Sequence, residues 1–143
     1  MEAIAALGLA CNVMQVICFS REVVTVARHA YTTGKIEEDL SDKSSHLATL
    51  ALAVEDSIQS AMKPQTKAQR DLQEAAQKCR QTAAELGQEV DKICPSAGRP
   101  PNAFRAIKSS VKAIGRKNKL KDLEKTMMHW ERVIDSGLLL QIW

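Results

Sequence analysis

The residue types that most often carry chemistry are sparse in this chain and form no recognisable site. Cys11, Cys18, Cys79 and Cys94 show no Cys-x-x-Cys spacing, and the three histidines lie far from one another. No glycine-rich phosphate loop, Gly-x-Ser-x-Gly sequence or His-Glu-x-x-His sequence occurs. We therefore expect no enzyme, no metal and no cofactor. Cys11, Cys18 and Cys79 fall on apolar helical positions, which predicts buried free thiols and a reducing compartment.

The strongest chemical signal is a basic segment near the carboxyl terminus. Eight of the 20 basic residues and no acidic residue lie between Pro95 and Lys121, whereas the other 12 basic residues accompany all 17 acidic residues. Such a local concentration predicts a local anionic partner. Helical spacing places most of these side chains on one face. The candidate ligands for anionic lipid are Arg105, Lys108, Lys112, Arg116, Lys117 and Lys119.

Three interpretations of this basic segment remain open. The side chains could form a solvated helix face, a surface for anionic lipid headgroups, or a surface for a protein or nucleic-acid partner. Nucleic acid is not the favoured partner, because Phe104 is the only aromatic residue among these bases. No recognition-helix motif or zinc module accompanies them either.

The amino-terminal segment carries no charge over the 18 residues from Ala3 to Ser20. As a helix it would span about 27 Å at ~1.5 Å per residue, close to the ~30 Å hydrocarbon core of a bilayer. A secretory signal would carry Lys or Arg before its apolar run, whereas Glu2 stands here. We therefore expect no cleaved signal peptide.

Insertion of this segment into a bilayer is predicted to be nearly balanced. Its seven strongly apolar side chains contribute about −2 to −4 kcal/mol, and Asn12 and Gln15 offset much of that. Clustering of several copies, each attracted to the surface by up to ~1 kcal/mol per Lys or Arg, could shift the balance towards insertion. The alternative is an ordinary central helix of a bundle. The candidate inserting residues are Ile4, Leu7, Leu9, Val13, Val16, Ile17 and Phe19.

The elements that must position these residues are helical, because apolar residues repeat at steps of three, four and seven and no segment alternates as a strand. We predict one all-α domain over residues 1–143, an antiparallel bundle of four to five helices with an apolar N-terminal helix. The expected helices cover about 2–31, 37–62, 66–93 and 102–136. Thr66 is the expected N-cap of the third, and Gly115 marks a kink or short break in the fourth. The apolar ending from Leu138 to Trp143 is consistent with a domain cut from a longer receptor.

The sequence also resembles a known family. Met1-Glu-Ala-Ile-Ala-Ala-Leu-Gly-Leu-Ala10, followed by Asn12-Val-Met-Gln-Val16, is similar to the opening of the HeLo-like N-terminal domains of fungal STAND (NOD-like receptor, NLR) proteins. The likeness continues at Ala27-Arg-His-Ala-Tyr31, at Ala75-Ala-Gln-Lys-Cys79 and from Phe104 to Glu124, so it covers nearly the whole chain. Asn12 and Cys18 depart from the commonest pattern and make the first helix less apolar.

The resemblance implies a helical bundle that executes or relays programmed cell death in fungal non-self recognition (heterokaryon incompatibility), a form of innate immunity. In that family, assembly releases the N-terminal helix, which then permeabilises the plasma membrane. The implied location is the cytoplasm, with relocation to the plasma membrane on activation. The implied partners are anionic membrane lipids, further copies of the chain and NLR-type receptor domains. The alternative is a protein-interaction or oligomerisation adaptor without membrane activity.

Overall fold

The computed structural model describes residues 3–33, 39–60, 67–93 and 111–142, with side chains described over 7–33, 39–60, 67–93 and 114–136. These residues form four helices: α1 (Ala3–Thr33), α2 (Leu40–Ser60), α3 (Lys67–Ile93) and α4 (Val111–Ile142). Neither a strand nor a fifth helix occurs within these ranges. The predicted all-α class is therefore confirmed for this part of the chain, and the predicted N-cap at Thr66 lies outside it.

Helix α3 shows most directly how the sequence specifies the bundle. Its apolar residues recur at alternating steps of four and three, which places them on one face of an α-helix. All seven are buried: Leu72, Ala76, Cys79, Ala83, Leu86, Val90 and Ile93. Helix α2 presents a narrower stripe to the core, with buried residues seven apart at Leu40, Leu47 and Val54.

Neighbouring helices run in opposite directions. Asn12, early in α1, contacts Ser57, late in α2, so these two helices are antiparallel. Glu89, late in α3, pairs with Lys119, early in α4, so this pair is antiparallel too. Helices α1 and α3 each contact the other three helices, whereas α2 and α4 barely meet. The core is therefore centred on the contact between α1 and α3.

Helix α4 differs from its sequence-based bounds. It passes through Gly115 without a break, although glycine in a helix interior costs about 1 kcal/mol relative to alanine. The burial of Leu120 and Met127 further along the same helix offsets that cost. The helix also continues to Ile142, past the expected end near Ser136, because three consecutive leucines with high helix propensity follow there. The expected start near residue 102 lies outside the part of the chain that the structure describes.

Candidate functional site

Helix α1 carries the candidate inserting residues, and the structure places most of them inside the bundle. Four of them are at most 1% exposed and form its inner face: Leu9, Val13, Val16 and Ile17. Phe19 is half-buried against the same core, and Leu7 is 54% exposed. The side chain of Ile4 lies outside the described ones. In this arrangement, lipid could reach the inner face only after α1 separates from its neighbours.

The outer face of α1 is uncharged over the first half of the helix. The exposed positions there are Leu7, Gly8, Cys11, Gln15 and Cys18. Charged side chains first appear at Arg21 and Glu22. A surface helix of a globular protein ordinarily carries charged and polar residues opposite its apolar stripe. The first half of α1 therefore lacks the charges that normally keep a helix face in water.

Length and composition also distinguish α1 from the other described helices. It alone among them is long and apolar enough to cross a membrane, over the stretch from Leu7 to Thr33. In the qualifying 18-residue window, 44% of the residues are buried in the bundle. The central helix of a water-soluble bundle and a membrane-spanning helix both meet this criterion. Helix α1 therefore has the length and composition that both interpretations made from the sequence require.

Polar contacts join α1 to α2. Asn12 Nδ2 donates a hydrogen bond to Ser57 Oγ at 2.8 Å, in a partly buried position. Lys43 Nζ of α2 forms an ion pair with Glu22, which lies ten residues after Asn12 on α1. The same Nζ also lies 3.7 Å from Asp39 Oδ2. A neutral hydrogen bond contributes roughly 0.5–1.5 kcal/mol, and an exposed ion pair contributes about 0–1 kcal/mol. These contacts orient α1 more than they retain it.

The ion pair between α1 and α4 also contributes little to stability. Arg21 Nη1 lies 3.3 Å from Glu131 Oε2, and both side chains are partly exposed. The neighbouring Ser20 is fully buried, and its Oγ has no hydrogen-bond partner among the described residues. An unpaired buried hydroxyl is unfavourable by about 1–3 kcal/mol. Apolar burial, rather than polar bonding, therefore holds α1 in the bundle.

The candidate lipid-binding residues lie along α4 as far as the structure describes them. Arg116 and Lys119 are one turn apart and share a face. Arg116 and Lys117 are half-buried, and Lys119 is exposed. The remaining candidate side chains lie outside the described ones: Arg105, Lys108 and Lys112.

A buried carboxylate stands against this basic face, and the sequence analysis missed it. Glu89 of α3 is 1% exposed, and its Oε1 lies 3.0 Å from Lys92 Nζ and 3.4 Å from Lys119 Nζ. Its Oε2 has no hydrogen-bond partner in the described part of the chain. The spacing in the sequence does indicate that Glu89 lies on the buried face of α3, because it follows Leu86 by three residues and precedes Ile93 by four.

The cysteines match their prediction only at Cys79. Its thiol is buried, and desolvation raises its pKa to about 12. Cys11 and Cys18 are exposed, so the prediction of buried thiols was wrong for both. The first half of α1 is apolar on all sides, and residue spacing alone could not show which side faces the core. Cys94 lies outside the described residues.

An open groove of about 480 Å³ runs between α2 and α3 on the outside of the bundle. Small side chains line most of it, among them Ser44 and Ala48 of α2 and Ala84 and Gly87 of α3. Small residues permit the backbone of another helix to approach closely. The groove is thus a place where a helical partner could pack without displacing α1.

No family model, curated protein or solved structure matches this chain significantly. The HeLo-like resemblance therefore stays a prediction from the sequence. The same holds for the expected absence of enzymatic activity and for the expected partners and location.

Proposed function

We propose that this chain is a HeLo-like domain that executes or relays programmed cell death by self-association and insertion of α1 into the plasma membrane. The composition of the two faces of α1 supports the proposal. Its inner face is apolar and buried, and its outer face carries no charge as far as Cys18. Hydrocarbon tails and a protein core both shield apolar side chains from water, so transfer between them changes little free energy.

The basic face of α4 supplies the attraction to the membrane in this proposal. Arg116, Lys117 and Lys119 each contribute up to ~1 kcal/mol near an anionic leaflet. Helix α4 packs directly against α1. Docking through α4 therefore brings α1 to the lipid surface, and several copies held together multiply the attraction.

Substitution of Leu7 tests insertion without disturbing the core. Leu7 is exposed, so Leu7→Glu should leave the circular dichroism spectrum and the melting temperature unchanged. A carboxylate costs about 2.5–3.5 kcal/mol at the centre of an inserted helix and less towards its end, where Leu7 lies. Dye release from phosphatidylserine-containing vesicles by the artificially multimerised protein should therefore fall by roughly tenfold.

The matched control for this test is Leu52→Glu on α2, where the leucine is 60% exposed. It introduces the same charge at a similar exposure on a helix that does not insert. Dye release should therefore equal that of the wild type. Undiminished release by the Leu7→Glu protein would refute insertion of α1.

The alternative function is a helical adaptor without membrane activity, and the groove between α2 and α3 favours it. Its lining of small side chains suits a packed helix. The same vesicles separate the two functions. If multimerised wild-type protein leaves anionic vesicles intact, the executor proposal fails and the adaptor becomes the better description.

A further inference from the structure

We propose that Glu89 competes with anionic lipid for the same cations: its carboxylate pairs with Lys92 and Lys119 until the phosphate of an anionic lipid headgroup displaces it. The inference rests on the proposed membrane function and specifies how the anionic-lipid surface of α4 is controlled. It concerns the end of the bundle where the last turns of α3 meet the first turns of α4.

The exposure of the three side chains is strongly asymmetric. The side chain of Glu89 is 2% exposed, whereas those of Lys92 and Lys119 are 46% and 51% exposed. Both Nζ atoms lie within 3.4 Å of the same oxygen, Oε1. A solvent-borne anion can therefore reach the two ammonium groups from outside, while the carboxylate that neutralises them stays inside.

In this proposal Arg116, on the same face of α4 as Lys119, supplies a further donor to the headgroup. It precedes Lys119 by one helical turn, and its Nη1 is a buried atom with no hydrogen-bond partner among the described residues. A guanidinium group binds phosphate through charge-assisted hydrogen bonds. A phosphate group has several acceptor oxygens and can accept hydrogen bonds from Arg116 and Lys119 together. Glu89 instead uses one oxygen, Oε1, for its contacts with Lys92 and Lys119.

Displacement of Glu89 has a consequence for the bundle. Once phosphate takes Lys119, the buried carboxylate loses one of its two cationic partners while Oε2 is already unpaired. A buried charge with reduced compensation is unfavourable, so the contact between α3 and α4 weakens. Both helices pack against α1. Headgroup binding would thus loosen the surroundings that retain α1, and by linkage loosening would tighten headgroup binding.

The first test is co-flotation of the full chain with phosphatidylcholine vesicles that contain or lack phosphatidic acid. Glu89→Gln preserves the shape of the side chain and removes the competing charge. We expect roughly three- to tenfold tighter binding to the phosphatidic acid vesicles and no change with phosphatidylcholine alone. Thermal unfolding of the variant verifies that it folds.

The charge-matched control is Glu85→Gln. Glu85 lies one turn earlier on α3 and is exposed, so this variant changes the net charge equally without altering the ion pairs of Glu89 with Lys92 and Lys119. Its affinity should stay within about twofold of the wild type, because an isolated exposed charge has a small effect. An equal gain from both variants would overturn the proposal, and so would no gain from Glu89→Gln.

A second comparison keeps the proposal testable even if Glu89→Gln alters the fold slightly. Lys119→Gln should weaken vesicle binding more in the Glu89→Gln background than in the wild type, because there Lys119 is no longer occupied by the carboxylate. Lys117→Gln should weaken binding equally in both backgrounds, because Lys117 makes no ion pair with Glu89. Additive effects of Glu89 and Lys119 would contradict the inference.

Glycerol 3-phosphate, the soluble headgroup of phosphatidic acid, distinguishes a lipid ligand from a free one. It should bind the Glu89→Gln protein far more weakly than vesicles do, and equal affinity would overturn the assignment to a membrane lipid. These assays do not require insertion. A binding gain with intact vesicles would uphold the role of Glu89 and refute insertion of α1. Leakage without a binding gain would uphold insertion and refute the role of Glu89.

Discussion

Helices α1 and α3 occupy equivalent places in the bundle, since each contacts all three other helices, yet their outward faces differ. The exposed positions of α3 include Arg70, Glu74, Lys78 and Glu85. The exposed positions of α1 up to Cys18 include no charge. Charged side chains at the centre of a bilayer cost about 2.5–3.5 kcal/mol each, so the exposed charges of α3 oppose its transfer to lipid, whereas the outer face of α1 up to Cys18 carries none that would oppose it. Similar burial in the folded state therefore does not imply a similar cost of leaving it for lipid.

The largest expected effect comes from a charge on the inner face of α1. Leu9 is 1% exposed, so Leu9→Glu buries a carboxylate without a partner. We expect a loss of about 4 kcal/mol or more in the free energy of unfolding, measured by urea titration. Leu7→Glu, two residues away on the outer face, should change it by less than about 0.5 kcal/mol. Equal losses would show that α1 has no distinct inner and outer faces.

Core truncations on the two central helices provide the next comparison. Ile17 of α1 and Leu86 of α3 are both fully buried, so Ile17→Ala and Leu86→Ala should each lower the free energy of unfolding by about 2–5 kcal/mol. Their effects on vesicle leakage should diverge. Leu86→Ala weakens only the bundle and should increase dye release, whereas Ile17→Ala also makes α1 less apolar and should release less dye than Leu86→Ala. Indistinguishable release would remove the functional difference between the helices.

The cysteines supply a smaller effect with a defined pH dependence. The pKa of the Cys79 thiol rises from 9.0 to about 12 on folding. Above pH 9 the unfolded chain has lost this proton and the folded chain has not, so stability falls as the pH rises from 9 towards 12, by at most about 1.4 kcal/mol per pH unit. Below pH 9 the contribution is fully present.

The matched variant is Cys79→Ala, which should reduce that alkaline slope in urea titrations at several pH values. Replacement of Cys11 and Cys18, exposed on α1, should leave the slope unchanged. An unchanged slope in Cys79→Ala would show that the thiol is not desolvated in the folded state.

The sequence was most informative where one face alone is apolar. In α3, the spacing from Leu72 to Ile93 predicted both the helix and its buried side. In α1, the even distribution of apolar residues predicted the helix but not its orientation, so Cys11 and Cys18 were assigned to the wrong side. The pairing of Glu89 with Lys119 could not be predicted, because it joins two helices and depends on how they pack. Gly115 illustrates the same limit, since local propensity suggested a break that tertiary packing overrides.

The central claim is that α1 must separate from the bundle before the membrane is permeabilised. A reducible disulfide between Asn12→Cys and Ser57→Cys would hold α1 against α2, because Asn12 Nδ2 lies 2.8 Å from Ser57 Oγ. The control linker joins Ser44→Cys to Gly87→Cys, where an added Cβ would lie 3.9 Å from Ser44 Oγ, and it fixes α2 to α3 instead. Both variants are made in a background in which the native cysteines are replaced by alanine.

Dye release from anionic vesicles by the multimerised proteins is the measurement. The account predicts that the linker between positions 12 and 57 abolishes release and that reduction restores it, while the linker between positions 44 and 87 leaves release intact. Full release by protein whose α1 is still fixed to α2 would contradict it.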